Sequence, residues 1–186
     1  MKAGLWQILF TALGADEGRV RRAAEQGLRV LRGHRPDEIR AIVAGALEPV
    51  LRPLVYREPL DLVARHRERG EPVFVVTTTL QEVADAVAAD LGFDGALGTV
   101  CELAADGTYT GRSLRPMYGE AKAAAVRELA AARGIELAAS TAYSDSHTDL
   151  PFLESVAHPV AVNPDRALRR VAAARGWPVL RFHDAA

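Results

Sequence analysis

Long apolar runs are missing from this chain of 186 residues; none approaches the roughly 20 residues needed to span a bilayer. Cysteine is almost missing too. Cys101 stands alone, which excludes an internal disulfide and, with no histidine cluster beside it, a cysteine-based metal site. Residues 1–10 carry one lysine and no small-residue cleavage site, a poor match to a secretory signal. Net charge is close to absent at −1, so nothing drives the chain towards nucleic acid or acidic membranes in general. No Gly-x-x-x-x-Gly-Lys-Ser/Thr occurs, which removes a P-loop nucleotide enzyme. These absences predict a cytoplasmic protein with neither nucleic acid nor membrane as a partner.

Lysine is the last scarcity. Of the 23 basic residues, only Lys2 and Lys122 are lysine and the rest are arginine. In a chain so biased, an interior lysine such as Lys122 calls for a reason. What is plentiful is ordinary: 49% hydrophobic and 25% charged residues suit a globular chain with a sizeable core. Charge is unevenly spread, with residues 1–57 at +4 and residues 58–186 at −5. A basic segment over an acidic one could draw an anionic substrate towards a cation site, or both could be ordinary solvated surfaces.

Helical periodicity comes first. Val20, Ala24, Leu28 and Leu31 predict a helix over 16–32, stopped by Gly33. Pro36-Asp37-Glu38 starts another, with proline and two acids in the first turn. A third is expected over 58–69. The pattern then alternates. Residues 73–76 form a continuous apolar, β-rich run, as in a strand buried on both faces. A helix with Val83, Val87 and Leu91 follows, then a hairpin of 98–103 and 108–111 turning at Asp106-Gly107. An Ala-rich helix over 121–133, strands at 138–143, 159–162 and 178–182, and a helix over 165–175 complete the reading. Alternation of this kind implies an α/β fold with a parallel sheet.

Ligands of open α/β sheets bind at the carboxyl ends of the strands. Thr77, Thr78 and Thr79 follow one expected strand, and Ser144-Asp145-Ser146-His147-Thr148-Asp149 follows another. Threonine hydroxyls and a lysine ammonium suit phosphate oxygens. Two carboxylates four positions apart at a loop entering a helix suit Mg²⁺, which keeps water and substrate oxygens as its other ligands. The plainer alternatives are that the threonines and acids cap helices and that Lys122 is a solvated charge. His34, His66, His147, His158 and His183 lack metal-ligand spacing and are expected to be structural or surface residues.

Read in order, "VFVVTTT", "GEAKAAAVREL" and "AYSDSHTDLPFLESVAHPVAVNPDRALRRVAAARGWPVL" resemble the haloacid dehalogenase (HAD) phosphatases of the subfamily that includes phosphoserine phosphatase. That resemblance implies a HAD-like Rossmannoid parallel sheet with a helical cap, residues 1–57 as the cap region and 58–186 as the α/β core. It implies Mg²⁺-dependent hydrolysis of a small phosphate monoester through an aspartyl-phosphate. Thr77 would take the catalytic phosphoryl-binding role of the second motif, with Thr78 beside it. Lys122 would be the catalytic lysine of the third motif, also binding phosphate, and Asp145 and Asp149 the metal ligands of the fourth. The family's opening Asp-x-Asp-x-Thr, which supplies the nucleophile and the acid/base, has no counterpart, because no Asp-x-Asp occurs in the chain and its first aspartate is Asp16. The expectation is therefore an incomplete core that lacks the central first strand, between those ending at Thr77 and Asp145, and is inactive by itself. The alternative is a non-catalytic relative that binds a phosphorylated ligand or a protein partner.

Overall fold

The computed structural model describes residues 25–183. These fall into two compact units, one of Leu28–Met117 with Phe182 and His183, the other of Tyr118–Arg181 with residues 25–27. The beginning of the helix expected over 16–32 lies outside the described residues, as does Asp16; residues 25–29 are helical.

In the first unit, helix α1 (Pro36–Ala46) starts as its sequence predicts, with Pro36 in the first turn and the Glu38 carboxylate accepting from the Arg35 N–H. Its buried face, Ile39 and Val43, packs with Leu28, Cys101 and Tyr109 into one apolar cluster. Burial, with the Glu82 charge adding to it, pushes the Cys101 thiol up to about 11. Pro49 cannot donate a helical hydrogen bond, and beyond Ala46 the chain passes through a π turn, Leu47–Leu51, and a 3₁₀ turn, Arg52–Leu54. Helix α2 (Arg57–Glu68) precedes strand β1 (Phe74–Leu80), and helix α3 (Gln81–Leu91) leads to the hairpin of β2 (Gly95–Leu103) and β3 (Tyr109–Arg115). β1 pairs parallel to β2, and β2 antiparallel to β3. The hairpin turn is the expected one: Asp106 Oδ1 accepts from the Thr108 N–H and hydroxyl, and Gly107 has φ +80°.

The second unit holds helix α4 (Gly119–Arg133), strand β4 (Thr141–Ser144), the short helix α5 (Leu150–Leu153), strand β5 (His158–Val162), helix α6 (Arg166–Arg175) and strand β6 (Val179–Leu180). β4, β5 and β6 are all parallel, in that order. Ala123, Val126, Ala142, Leu153, Ala161, Leu168 and Ala172 are buried; α4 packs on α5, α5 on β4 and β5, and α6 on β5.

Two expectations change. The threonines do not follow β1; they are part of it, because the strand runs on to Leu80. Pairing slips there: between the pairs Val76 with Leu97 and Leu80 with Thr99, β1 places Thr77, Thr78 and Thr79 opposite the single residue Gly98. The strand expected from residue 138 begins at Thr141, because a 3₁₀ turn, Leu137–Ala139, takes up the preceding residues and the Ser140 hydroxyl donates to the Glu136 carbonyl. Among the described residues, β1 and β4 belong to different three-stranded sheets, β1 paired with β2 and β4 with β5.

Candidate active site

At the carboxyl end of β4 the chain turns sharply. Ser144 is buried, Ser146 caps a 3₁₀ turn (His147–Asp149) by accepting from the Thr148 N–H, and α5 follows at once. Helix α4 brings Lys122 to this loop on the same face as Ala123, Val126 and Ala130. Lys122 is only 3% exposed. Its ammonium donates to Asp149 Oδ1 at 2.6 Å, while the Ser144 hydroxyl donates to Asp149 Oδ2 at 2.8 Å. The ammonium also lies 5.9 Å from the centre of the Phe152 ring, within reach of a cation–π contribution.

The capping alternative fails for both acids. Ser146 and Asp165 do the capping, and Asp149, at the start of α5, accepts no capping hydrogen bond. The solvated-lysine alternative fails as well, because the interior lysine of an arginine-biased chain is buried against a carboxylate.

Asp145 is reached by solvent, yet the surrounding protein keeps enough water from its carboxyl that this desolvation raises it above the ordinary value. Its own amide opposes the shift, Asp149 and Asp165 add to it, and Lys122 opposes it. Asp165 goes the other way. Burial pushes it up, but the His147 and Leu168 amides and the His147 ring outweigh that and hold it low. Among the described residues, no three His, Cys, Asp or Glu side chains converge as a metal cage. A site of two carboxylates, one of them committed to Lys122, suits an ion that takes few protein ligands and keeps its water, as Mg²⁺ does; it does not suit Zn²⁺, which wants a fuller set.

Thr77 and Thr78 lie in the other unit. The Thr77 hydroxyl accepts from the Thr79 N–H at 3.2 Å, which leaves its own proton free to donate. Thr78 is exposed, and its carbonyl accepts from the Thr99 hydroxyl at 2.8 Å. Sequence reasoning had missed Ser144, His147 and Asp165. Asp165 was legible only as a helix start, and nothing in the sequence tied it to the acidic loop.

The Lys122–Asp149 pair thus stands at the carboxyl end of a parallel strand, where open α/β sheets bind their ligands. Comparisons with known proteins show the family. Residues 2–154 match the family model for haloacid dehalogenase-like hydrolases, and the chain belongs to that family, as its motifs implied. It is 43% identical to an "inhibition of morphological differentiation protein" of Streptomyces azureus, over 95% of this chain and 64% of that protein. It is 42% identical to a probable phosphatase of Mycobacterium tuberculosis, over 98% of this chain and 63% of that protein. A phosphoserine phosphatase of the same organism is 36% identical, over 96% and 58% respectively. The crystal structure of a protein of unknown function from Bordetella pertussis superposes with a TM-score of 0.78 at 32% identity, covering 95% of this chain and 89% of that one. The chain spans less than two thirds of the length of these curated relatives. No described helix is long and apolar enough to cross a membrane.

Proposed function

We propose that this chain is part of a Mg²⁺-dependent phosphatase that hydrolyses a small phosphate monoester, with residues 1–57 as a helical cap and 58–186 as the α/β core. Its relatives include a probable phosphatase and a phosphoserine phosphatase, which supports the reaction class. The observation that carries the reading is the buried Lys122 ammonium held by Asp149 beside Asp145 at the end of β4. A buried ion pair is costly to assemble, and its place at a strand's carboxyl end gives a reason to bear that cost.

In the unit of β4, Lys122 offsets phosphoryl charge, Asp149 fixes the ammonium, and Asp145 is the carboxylate most open to the metal. In the unit of β1, Thr77 and Thr78 are the donors to phosphoryl oxygens. Bound Mg²⁺ would neutralise charge that develops on the transferred group. The aspartate that takes the phosphoryl group, splitting one difficult displacement into two easier ones, comes from an Asp-x-Asp-x-Thr segment outside these 186 residues.

Titration with Mg²⁺ by calorimetry tests the site. Weak binding is expected in the chain as it stands, and Asp145→Asn combined with Asp149→Asn abolishes it. An unchanged affinity in the double variant would remove the acidic loop from the metal site. A second reading, a non-catalytic relative that binds phosphorylated ligands, is favoured by one observation: both Asp149 oxygens are already taken, by Lys122 and Ser144. Phosphate binding without turnover, in a form that carries the nucleophile segment, would establish it.

A further inference from the structure

Asp165 is more than the cap of α6. Its Oδ1 accepts from the Leu168 N–H at 2.8 Å, which is the ordinary N-cap bond. Its Oδ2 turns the other way and accepts from the His147 N–H at 2.8 Å and the His147 ring Nδ1 at 2.9 Å. Its own N–H donates to the Asp145 carbonyl at 2.8 Å. One residue therefore grips the acidic loop at Asp145 and at His147, two positions apart, while its other oxygen is fixed to a helix. The side chain is 8% exposed, so these bonds form away from competing water and are correspondingly stronger. Just before it, Asn163 has φ +41°, and its N–H donates to the Leu180 carbonyl in β6. The segment that delivers Asp165 is thus itself anchored to the sheet.

A cap alone needs one oxygen. The second carboxylate oxygen and the main-chain bond both go to the loop that carries Asp145 and Asp149. We infer that Asp165 is a positioning residue for the metal loop: it holds the Asp145 backbone, and with it the direction of the Asp145 carboxylate, through paired bonds to Asp145 and His147. This inference rests on the proposed metal role of Asp145. His147 serves in it as a clasp; with Nδ1 committed to Asp165, the ring is held in one orientation against the loop. Residues that orient a metal ligand in this way typically contribute about 10–100-fold to metal affinity.

The test compares wild type with Asp165→Ser, Asp165→Asn and Asp145→Asn, each titrated with Mg²⁺ alone while amide shifts and amide exchange are followed by NMR. Serine is itself a good N-cap and keeps the bond to Leu168, but it has no second oxygen for His147. Asparagine keeps the shape and the cap, but turns an amide NH₂ towards the His147 N–H. The expected result is a Mg²⁺ affinity reduced by roughly 10-fold or more in both Asp165 variants, with faster exchange of the His147 amide before any metal is added. The exchange of α6 amides should change little. Wild-type Mg²⁺ affinity in the Asp165 variants, with Asp145→Asn losing binding, would overturn the inference and leave the metal site standing. Wild-type affinity in Asp145→Asn would remove the metal reading itself and the inference with it. Should the serine variant fail to fold, the near-isosteric asparagine variant decides by the same criteria.

Discussion

Lys122 is the residue on which sequence and structure meet most closely. Its rarity in the chain called for a reason, and the structure supplies one: a side chain 4% exposed, its ammonium held 2.6 Å from the carboxylate of an aspartate side chain that is itself 14% exposed. Removing one partner of such a pair leaves the other charge buried without compensation, which costs about 3–5 kcal/mol. Lys122→Met is therefore expected to destabilise the chain by about that amount in urea unfolding, and adding Asp149→Asn should recover much of the loss. A cost below about 1 kcal/mol, the range of surface pairs, would mean that Asp149 reaches water and does not depend on Lys122. The pairing itself was not legible from spacing, because the two residues lie 27 positions apart.

At the scale of elements, the crossing from β1 to α3 is tightly constrained. Gln81, the first residue of α3, donates from Nε2 to the Ala96 carbonyl at 3.1 Å and accepts the Gly98 N–H on Oε1 at 2.7 Å. Its side chain thereby replaces the ladder bonds lost where Thr77, Thr78 and Thr79 bulge opposite one residue. Gly98 is what permits the close approach. A Cβ there would lie 2.8 Å from Gln81 Cα, 2.9 Å from Gln81 N and 3.0 Å from the Leu80 carbonyl carbon. All three are backbone atoms and cannot swing aside. Gly98→Ala is thus expected to cost about 1–3 kcal/mol, as overpacking in a core does, and to shift Thr77 and Thr78. Thermal unfolding measures the first effect and Thr77–Thr79 amide shifts the second; a neutral substitution would mean that the bulge is loose. Sequence patterning found β1 and α3 but not the bulge, since a run of β-branched residues reads equally well as straight strand.

For the whole molecule, the decisive question is the nucleophile. The 186 residues contain no Asp-x-Asp, and they align with about 64% of a relative's length. A form extended upstream into a strand ending in Asp-x-Asp-x-Thr is expected to hydrolyse a generic aryl phosphate in the presence of Mg²⁺. Residues 1–186 alone should show no turnover above background, and replacing the first of the added aspartates with asparagine should return the extended form to that level. Full activity in residues 1–186 alone would show that another side chain of this chain does the nucleophile's work.

Much of the architecture was written in local pattern. Alternating helix and strand, the Asp106-Gly107 turn and the Pro36 start all depend on neighbours within a few residues, so the sequence determines them directly. The motif order also led to the right family. What it left open are the features set by residues distant in the chain: that Lys122 is buried on Asp149, that Ser144 shares the same carboxylate, that Asp165 grips the loop of Asp145, and that β1 bulges against Gly98. Each joins residues 5 to 27 positions apart, and no periodicity records such a meeting. Burial and charge pairing belong to packed surfaces, and those exist only once helix and strand have come together.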